Sequence, residues 1–504
     1  MGSFLKHLEF SENLFRNLVQ KRLFWVSTFL FSWVLLWQNR AQFHWDFDYM
    51  VMHSTIIMNE PSLLLGRFGF VVPLHLVYKA WNLFDLGVLD FQYALRMICT
   101  IFGAGAATLF IKILIMLRWP PAVAIGAGLM FLSSRYALMV GNDINTNIVA
   151  LCLLLLGLTS CLKVEEAKSF HHSKRWFWLA IASFGWSLSI RSQSYFYFAS
   201  ILIMLPFLPS FRNKMTSKSW LTLCLAPGLI SAIGPVYYSL RPGGGSFLSR
   251  FFETHEDMGV QIYEPLRDRL DALFSHFYNM PMEDWGTAFL IAGTAYCFLK
   301  NRKAFLVLLP LFLAHLVLLY VLNIELLSYR RYFGAFYLIY FAFVALGVQW
   351  TFRRDWLTLL VCLYFCSLLR PWSQEKMGPR NAEALAAKRY YHSAVFDCPK
   401  FCVYMIGDHW PLAQLKDLEH PDRFYHAIAN GWAWTADKLD VSRNAFPHHK
   451  FIVDYESHKP SERIDLELAL NKYPMKIPLQ EGVWEIPSYN DLKELGTEPT
   501  NFED

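Results

Sequence analysis

Apolar stretches separated by short polar loops run through the first 370 residues, and a mixed pattern follows them. The stretches fall at about 23–38, 92–117, 121–138, 147–162, 176–190, 195–210, 220–240, 284–299, 304–322, 332–349 and 356–370. As helices rising about 1.5 Å per residue, they match a hydrocarbon core about 30 Å thick. Lipid offers no water to the backbone N–H and C=O groups, so a spanning segment must satisfy them internally, as a helix does. The pattern predicts an all-α polytopic membrane protein of eleven spans. A further apolar segment, "FGFVVPLHLVYKAWNLF" (68–84), fits poorly as a span, because counting it would invert every later loop. It reads as a helix in or on the outer interface, with His75 and Lys79 one turn apart.

Loop charge sets the orientation. Alternation from a cytoplasmic N-terminus places "KR" (21–22), "KVEEAKSFHHSKR" (163–175), "FRNKMTSKS" (211–219), "KNRK" (300–303) and "FRR" (352–354) inside. The loops between spans on the other side are longer yet hold a single lysine, Lys79. Cytoplasmic loops are enriched in Lys and Arg, so this asymmetry fixes the expected topology. It gives a transmembrane domain over residues 1–370, with large outer loops at 39–91 and 241–283. Residues 371–504 form a tail on the same outer side. Apolar runs such as "KFCVYMIG" (400–407) and "KFIVDY" (450–455) predict a small soluble α/β domain there. The polar N-terminal 22 residues run into a span with no small-residue cleavage site, so no cleavable signal peptide is expected.

Composition agrees. Charged residues make up only 17% of the chain, against about 25% in soluble domains. The net charge of +5 is too small to indicate a nucleic-acid partner. Seven of nine cysteines fall in spans and read as small apolar residues, whereas Cys398 and Cys402 in "DCPKFC" could pair in an oxidising outer compartment. No Asn has Ser or Thr two places later, so the outer loops hold no N-glycosylation acceptor. That points to a bacterial plasma membrane, with the endoplasmic reticulum membrane as the alternative.

Ionisable residues near the membrane are costly and are candidates for function. On the outer side these are Asp46 and Asp48 in "HWDFDY", Arg67 after Gly66, and His75. Asp143 in "GNDINTN", Arg191 in "IRSQS", and Arg330 and Arg331 before Tyr332 in "SYRRYFG" complete the set. Carboxylates suit proton abstraction, and arginines suit a phosphate through charge-assisted, bidentate hydrogen bonds. Each has a plainer reading: Asp46 as a helix N-cap, Asp143 as a turn residue, an arginine of the pair as an interfacial anchor, His75 as an ordinary helix-face histidine. Their shared side of the membrane is the informative feature.

The order of these features resembles the GT-C glycosyltransferases, in the branch of protein O-mannosyltransferases and bacterial aminoarabinose transferases of lipid A. The matching segments are "DFDYMVMHSTIIMNEP" after the first span and "GRFGFVVPLHLVYKAWNLF" next. The arginine-led span from Tyr93, Asp143 in its turn, and Arg331-Tyr332 opening a late span follow in order. The likeness covers roughly residues 20–350. Where the family commonly has Asp-Glu this chain has Asp-Phe-Asp, so either Asp46 or Asp48 can be the catalytic position. The tail after 371 has no counterpart in the resemblance.

That resemblance implies an integral-membrane glycosyltransferase acting at the outer face and taking a sugar from a polyprenyl-phosphate donor with inversion. An aspartate, Asp46 or Asp48, would be the general base. Arg67, His75, Asp143, Arg191, Arg331 and Tyr332 would contact substrate. It implies no cofactor and no metal. The partners would be the lipid-linked donor, a lipid, glycan or protein acceptor, and the bilayer. Two other classes stay open. A lipid-linked glycan polymerase or ligase would use the arginines of 241–283. A lipid or sugar transporter should show polar or broken spans at mid-membrane.

Overall fold

The computed structural model describes residues 21–38, 56, 67–84, 88–141, 145–191, 193–240, 282–321, 334–375, 402–406, 450–454, 467, 470–471, 476–480 and 483–487. Its helices are α1 (Arg22–Gln38), α2 (Phe68–Leu83), α3 (Val88–Met116), α4 (Pro121–Ser133), α5 (Arg135–Val140), α6 (Thr146–Glu166) and α7 (Phe170–Ile190). They continue as α8 (Gln193–Met204), α9 (Pro209–Lys214), α10 (Ser217–Ser239), α11 (Glu283–Lys300), α12 (Arg302–Val321), α13 (Gly334–Phe352) and α14 (Asp355–Glu375). Four strands follow: β1 (Cys402–Ile406), β2 (Lys450–Asp454), β3 (Ile477–Gln480) and β4 (Val483–Ile486). The chain divides into two compact units. One holds residues 1–40, 65–70 and 95–376, and the other holds 41–64, 71–94 and 377–504, so the division passes through α2 and α3.

Each apolar stretch read as a span is helical over most of its length. Among the described residues five helices are long and apolar enough to cross a membrane: α3, α6, α10, α13 and α14. This is a multi-pass helical membrane protein. Two of these stretches contain a break. The 121–138 stretch breaks at Ser134, which is extended (φ −74°, ψ 152°) and whose hydroxyl caps α5 by accepting from the Ala137 N–H. The 195–210 stretch ends α8 at Met204, passes through a 3₁₀ turn at Leu205–Phe207, and restarts as α9 at Pro209. Pro206 and Pro209 lack the N–H that a continuous ladder needs, which is why the helix yields there.

The first unit has an inside and a lipid side. In α13 every residue from Gly334 to Val348 is buried, and 89% of the most apolar window of α6 is covered by protein. Helices buried all round belong at the centre of a bundle. In α10 the corresponding value is 17%. Its Leu221, Leu225, Leu229 and Ile233, spaced by four, form an exposed stripe. That stripe suits lipid tails, and Pro227 and Pro235 lie inside α10. α11 packs along α13, α7 along α6, α14 against α4, α10 against α7 and α8 against α12.

The α11–α13 contact rests on two glycines. A Cβ on Gly293 would fall on the Phe343 carbonyl oxygen, and one on Gly347 would fall on that of Phe289. Small residues that let backbones touch are the usual currency of helix association in lipid. Gly347→Ala is expected to lower stability in detergent by about 1–3 kcal/mol, the usual cost of overpacking. Denaturant titration should show Gly293→Ala doing the same, and two neutral variants would mean that the backbones do not touch.

Turns assigned to one side of the membrane gather at one end of this unit. The Asn301 amide donates to the Leu117 carbonyl (2.8 Å), and Lys303 pairs with the buried Glu165 carboxylate (2.6 Å). Lys214 Nζ donates to the last carbonyls of α6, at Val164 (3.1 Å) and Glu165. A lysine on the free carbonyls at a helix C-terminus satisfies them and opposes the negative end of the dipole.

In the second unit the sheet order is β1-β2-β4-β3, with β1 parallel to β2 and the other neighbours antiparallel. The two apolar tail runs are β1 and β2. Pro478 lies on the edge strand β3, where a missing N–H costs no ladder bond on the open side. Lys450 pairs with Glu485 (2.8 Å). Further back in the chain, Tyr78 and Trp81 of α2 pack on Phe91 of α3, with ring centroids 4.9 and 6.0 Å apart. The predicted Cys398–Cys402 pair includes Cys398, which is outside the described residues.

Candidate functional site

Two breaks between helices of the first unit are built from small polar side chains. Before α6, Asn145 is extended (φ −131°, ψ 124°), and its side-chain oxygen accepts from the Asn147 N–H (2.8 Å) and from Asn147 Nδ2 (3.0 Å). This is ordinary N-cap chemistry for asparagine. Between α7 and α8, Arg191 is extended (φ −144°, ψ 129°). Its N–H closes α7 on the Ser187 carbonyl (3.2 Å), and its carbonyl accepts from the Ser194 N–H (3.1 Å).

The two breaks are tied together. Arg191 Nε donates to Asn147 Oδ1 (2.8 Å), which is the atom left over once Asn147 Nδ2 has turned to Asn145. The Ser187 hydroxyl donates to the Ala150 carbonyl (2.9 Å) and lies 2.9 Å from the Ser194 hydroxyl. With its one hydrogen committed to Ala150, Ser187 accepts from Ser194. The arginine is only 9% exposed.

A third element completes the place. Tyr136 of α5 is buried and stacks on Tyr337 of α13 (centroids 5.8 Å apart, 27° between planes). α13 begins at Gly334, where a Cβ would run into the Tyr136 hydroxyl and ring. Glycine is required there for close approach. Tyr136, Asn147, Arg191, Ser194, Tyr197 and Gly334 line a cavity of about 30 Å³. That is room for about two waters, or for the oxygen face of a small anion, and is too small for a sugar ring.

The electrostatic character follows from which helix ends meet. Asn147 is in the first turn of α6, Gln193 and Ser194 open α8, and Gly334 and Ala335 open α13; all five line the cavity. Each helix N-terminus carries about +0.5 of an elementary charge. Three such ends and a guanidinium make a place for an anion.

Of the residues predicted from sequence, Arg191 is in this cavity. Arg67, half-buried, immediately precedes α2, whose Gly69 carbonyl accepts from Trp186 Nε1 of α7 (2.6 Å). His75 is in the second unit, where its Nδ1 lies 2.8 Å from the Ile56 carbonyl oxygen. Asp46, Asp48, Asp143, Arg331 and Tyr332 lie outside the described residues. Tyr136, Asn147, Ser194, Tyr197 and Gly334 were not singled out from sequence. The "NTN" and "SQS" strings beside Asp143 and Arg191 were the available signal, and they read equally well as turns.

Among solved structures, the chain is similar to ArnT from Cupriavidus metallidurans bound to undecaprenyl phosphate. The TM-score is 0.54 at 12% identity, over 92% of this chain and 97% of that one. It is also similar to the oligosaccharyltransferase AglB from Archaeoglobus fulgidus in complex with an inhibitory peptide and a dolichol-phosphate. There the TM-score is 0.51 at 13% identity, over 95% of this chain and 75% of that one. The chain has the GT-C fold. The apo form of the Archaeoglobus fulgidus enzyme matches that fold at a TM-score of 0.51 and 13% identity, over 90% of this chain and 73% of that one. No protein-family model and no curated protein matches the sequence. The GT-C fold is therefore carried here by helix order and packing, with few side chains in common.

Proposed function

We propose that this protein is an integral-membrane glycosyltransferase that moves a sugar from a polyprenyl-phosphate donor to an acceptor at the outer face of the membrane. The observation that carries the reading is the cavity in which Arg191 meets the N-termini of α6, α8 and α13. It lies within a GT-C fold, and two of the similar solved structures hold undecaprenyl phosphate and a dolichol-phosphate. The cavity takes phosphate oxygens, and the sugar stays outside it.

In the proposed reaction an aspartate, Asp46 or Asp48, removes the proton of an acceptor hydroxyl. The hydroxyl oxygen attacks the anomeric carbon from the face opposite the phosphate. The bond from the anomeric carbon to the phosphate oxygen breaks, and polyprenyl phosphate leaves with the electron pair, so configuration inverts. Arg191 donates hydrogen bonds to the leaving phosphate, whose charge grows in the transition state, where such donors act most strongly. Asp143 is two residues from both Gly141 and Asn145, and Arg331 is three residues before Gly334. Arg331 would add a second cation, and Tyr332 a neighbouring hydroxyl. The tail, 371–504, is proposed as an outer domain that helps to choose the acceptor.

The test is direct. Purified protein in detergent or vesicles is incubated with a panel of radiolabelled polyprenyl-phosphate sugars and membranes that supply acceptors. One donor should be consumed, with stoichiometric release of polyprenyl phosphate and a product of inverted configuration. Transport of an intact donor across vesicles without release of phosphate would replace this reading by the transporter.

A further inference from the structure

The hydrogen bonds that hold the Arg191 side chain run back to a backbone amide, and each direction along them is forced. The Asn147 N–H can only donate, so the Asn145 side-chain atom that meets it at 2.8 Å is the oxygen, Oδ1. The same oxygen lies 3.0 Å from the Asn147 amide, which must therefore present Nδ2 to it. Asn147 Oδ1 is then the atom that faces Arg191 Nε at 2.8 Å, and Nε can only donate. All three residues are buried, so little water competes for these bonds. The helix cap needs only Asn145 and a backbone N–H. The Asn147 side chain is surplus to it, and what it adds is the bond to Arg191. An amide suits the place because it donates to one neighbour and accepts from the other. An ionised aspartate of the same size lacks the donor, and leucine lacks both.

We propose that Asn147 is a positioning residue: gripped by Asn145, it holds the Nε edge of Arg191 and so aims the guanidinium at the phosphate of the lipid-linked donor. The inference rests on the reading of this cavity as the phosphate site. Asn147 and Arg191 both line it. An arginine side chain is long and rich in rotamers, and its planar fork serves a phosphate only when the plane is aligned. The Nε–H and Cδ–Nε bonds lie in that plane, so fixing the Nε–H on a rigid acceptor fixes the plane. The acceptor is rigid because Asn147 sits in the first turn of α6 and its amide is tied at Nδ2. The Ser187 hydroxyl, bonded to the Ala150 carbonyl, ties the end of α7 to the same helix. One element therefore holds both the backbone before Arg191 and the acceptor for its side chain. A misplacement of about 1 Å at a reacting group can cost about a hundredfold in rate, which is the scale on which such bracing counts.

The test compares undecaprenyl phosphate with undecaprenol, its uncharged counterpart, as ligands of the purified protein in detergent. Wild type should prefer the phosphate. Asn147→Leu, close to asparagine in size, removes the acceptor. It should weaken undecaprenyl phosphate binding by about tenfold to a hundredfold and leave undecaprenol binding unchanged. In an Arg191→Met background the same substitution should change binding by no more than about twofold, because a residue that acts through another has nothing left to act on. Wild-type binding of the phosphate by Asn147→Leu would overturn the proposal. So would the full loss repeated in the Arg191→Met background, because Asn147 would then act without Arg191, through the helix cap or by its own contact with phosphate. If Asn147→Leu does not fold, Asn147→Ala, which leaves room for a water against Nε, runs the same cycle. If wild type does not distinguish the phosphate from the alcohol, the phosphate reading of the cavity is what fails, and the role of Asn147 falls with it.

Discussion

Asp46→Asn is expected to lower turnover at least a hundredfold while the protein folds normally and still binds its lipid-linked donor. A hundredfold corresponds to about 2.7 kcal/mol of lost transition-state stabilisation. It sits at the low end of what a positioned general base contributes, about 10²–10⁴-fold. The amide keeps the size of the carboxylate and caps a helix nearly as well, so stability is not the route by which activity falls. It cannot accept the acceptor's proton, and the loss should appear in kcat rather than in donor KM. Asp48→Asn should be milder if Asp48 only orients its neighbour. The competing account makes Asp46 a helix cap. It forecasts two active Asn variants, and an Asp46→Ala variant that loses about 1 kcal/mol of stability. Transfer rates and thermal unfolding of the three proteins separate the two. A normally folded, active Asp46→Asn/Asp48→Asn double variant would sink the mechanism.

Arg191→Met should cost about a hundredfold in kcat/KM and should also weaken product inhibition by polyprenyl phosphate. The size follows from charge-assisted, bidentate hydrogen bonds to phosphate in a water-poor place, each worth about 1.5–3 kcal/mol. The two backbone bonds that Arg191 makes, its N–H closing α7 and its carbonyl receiving the Ser194 N–H, remain in the variant. Arg191→Lys retains the charge and loses the planar fork, including the Nε bond to Asn147. It should fall between the two, about tenfold below wild type. Product inhibition is the discriminating readout, since a purely structural arginine would not change how the released lipid phosphate competes. If Arg191→Met retains wild-type product inhibition, the cavity is not the phosphate site.

Much of the fold was legible because membrane insertion is a local decision. Whether 15–25 consecutive residues are apolar and where lysines cluster are properties of neighbouring positions, and lipid and water act on them segment by segment. The helices follow the apolar stretches for that reason. Two stretches carry breaks set by finer local chemistry: the Ser134 cap within 121–138 and the prolines within 195–210. The order of acidic turn, Gly-Arg, amphipathic segment and late Arg-Tyr was also readable, and it led to the GT-C likeness that the structure bears out.

The candidate site was only half readable. Arg191 stood out because an arginine at a span end is expensive wherever it goes. Its partner Asn147 is 44 residues away and is indistinguishable in sequence from any polar turn residue. Tyr136 and Tyr197 read as two more aromatics in an aromatic-rich chain, and Gly334 as a helix-starting glycine. Their meaning comes from α5, α6, α8 and α13 converging, which nothing local dictates. Sequence by itself determined that the chain is a helical membrane protein with helices along its apolar stretches, because solvation acts on each segment separately. The tertiary structure alone decided that three helix N-termini and one guanidinium share a single cavity, and that His75 donates to a buried carbonyl 19 residues back along the chain. Those are consequences of packing, in which each side chain's surroundings are supplied by helices far away in the sequence.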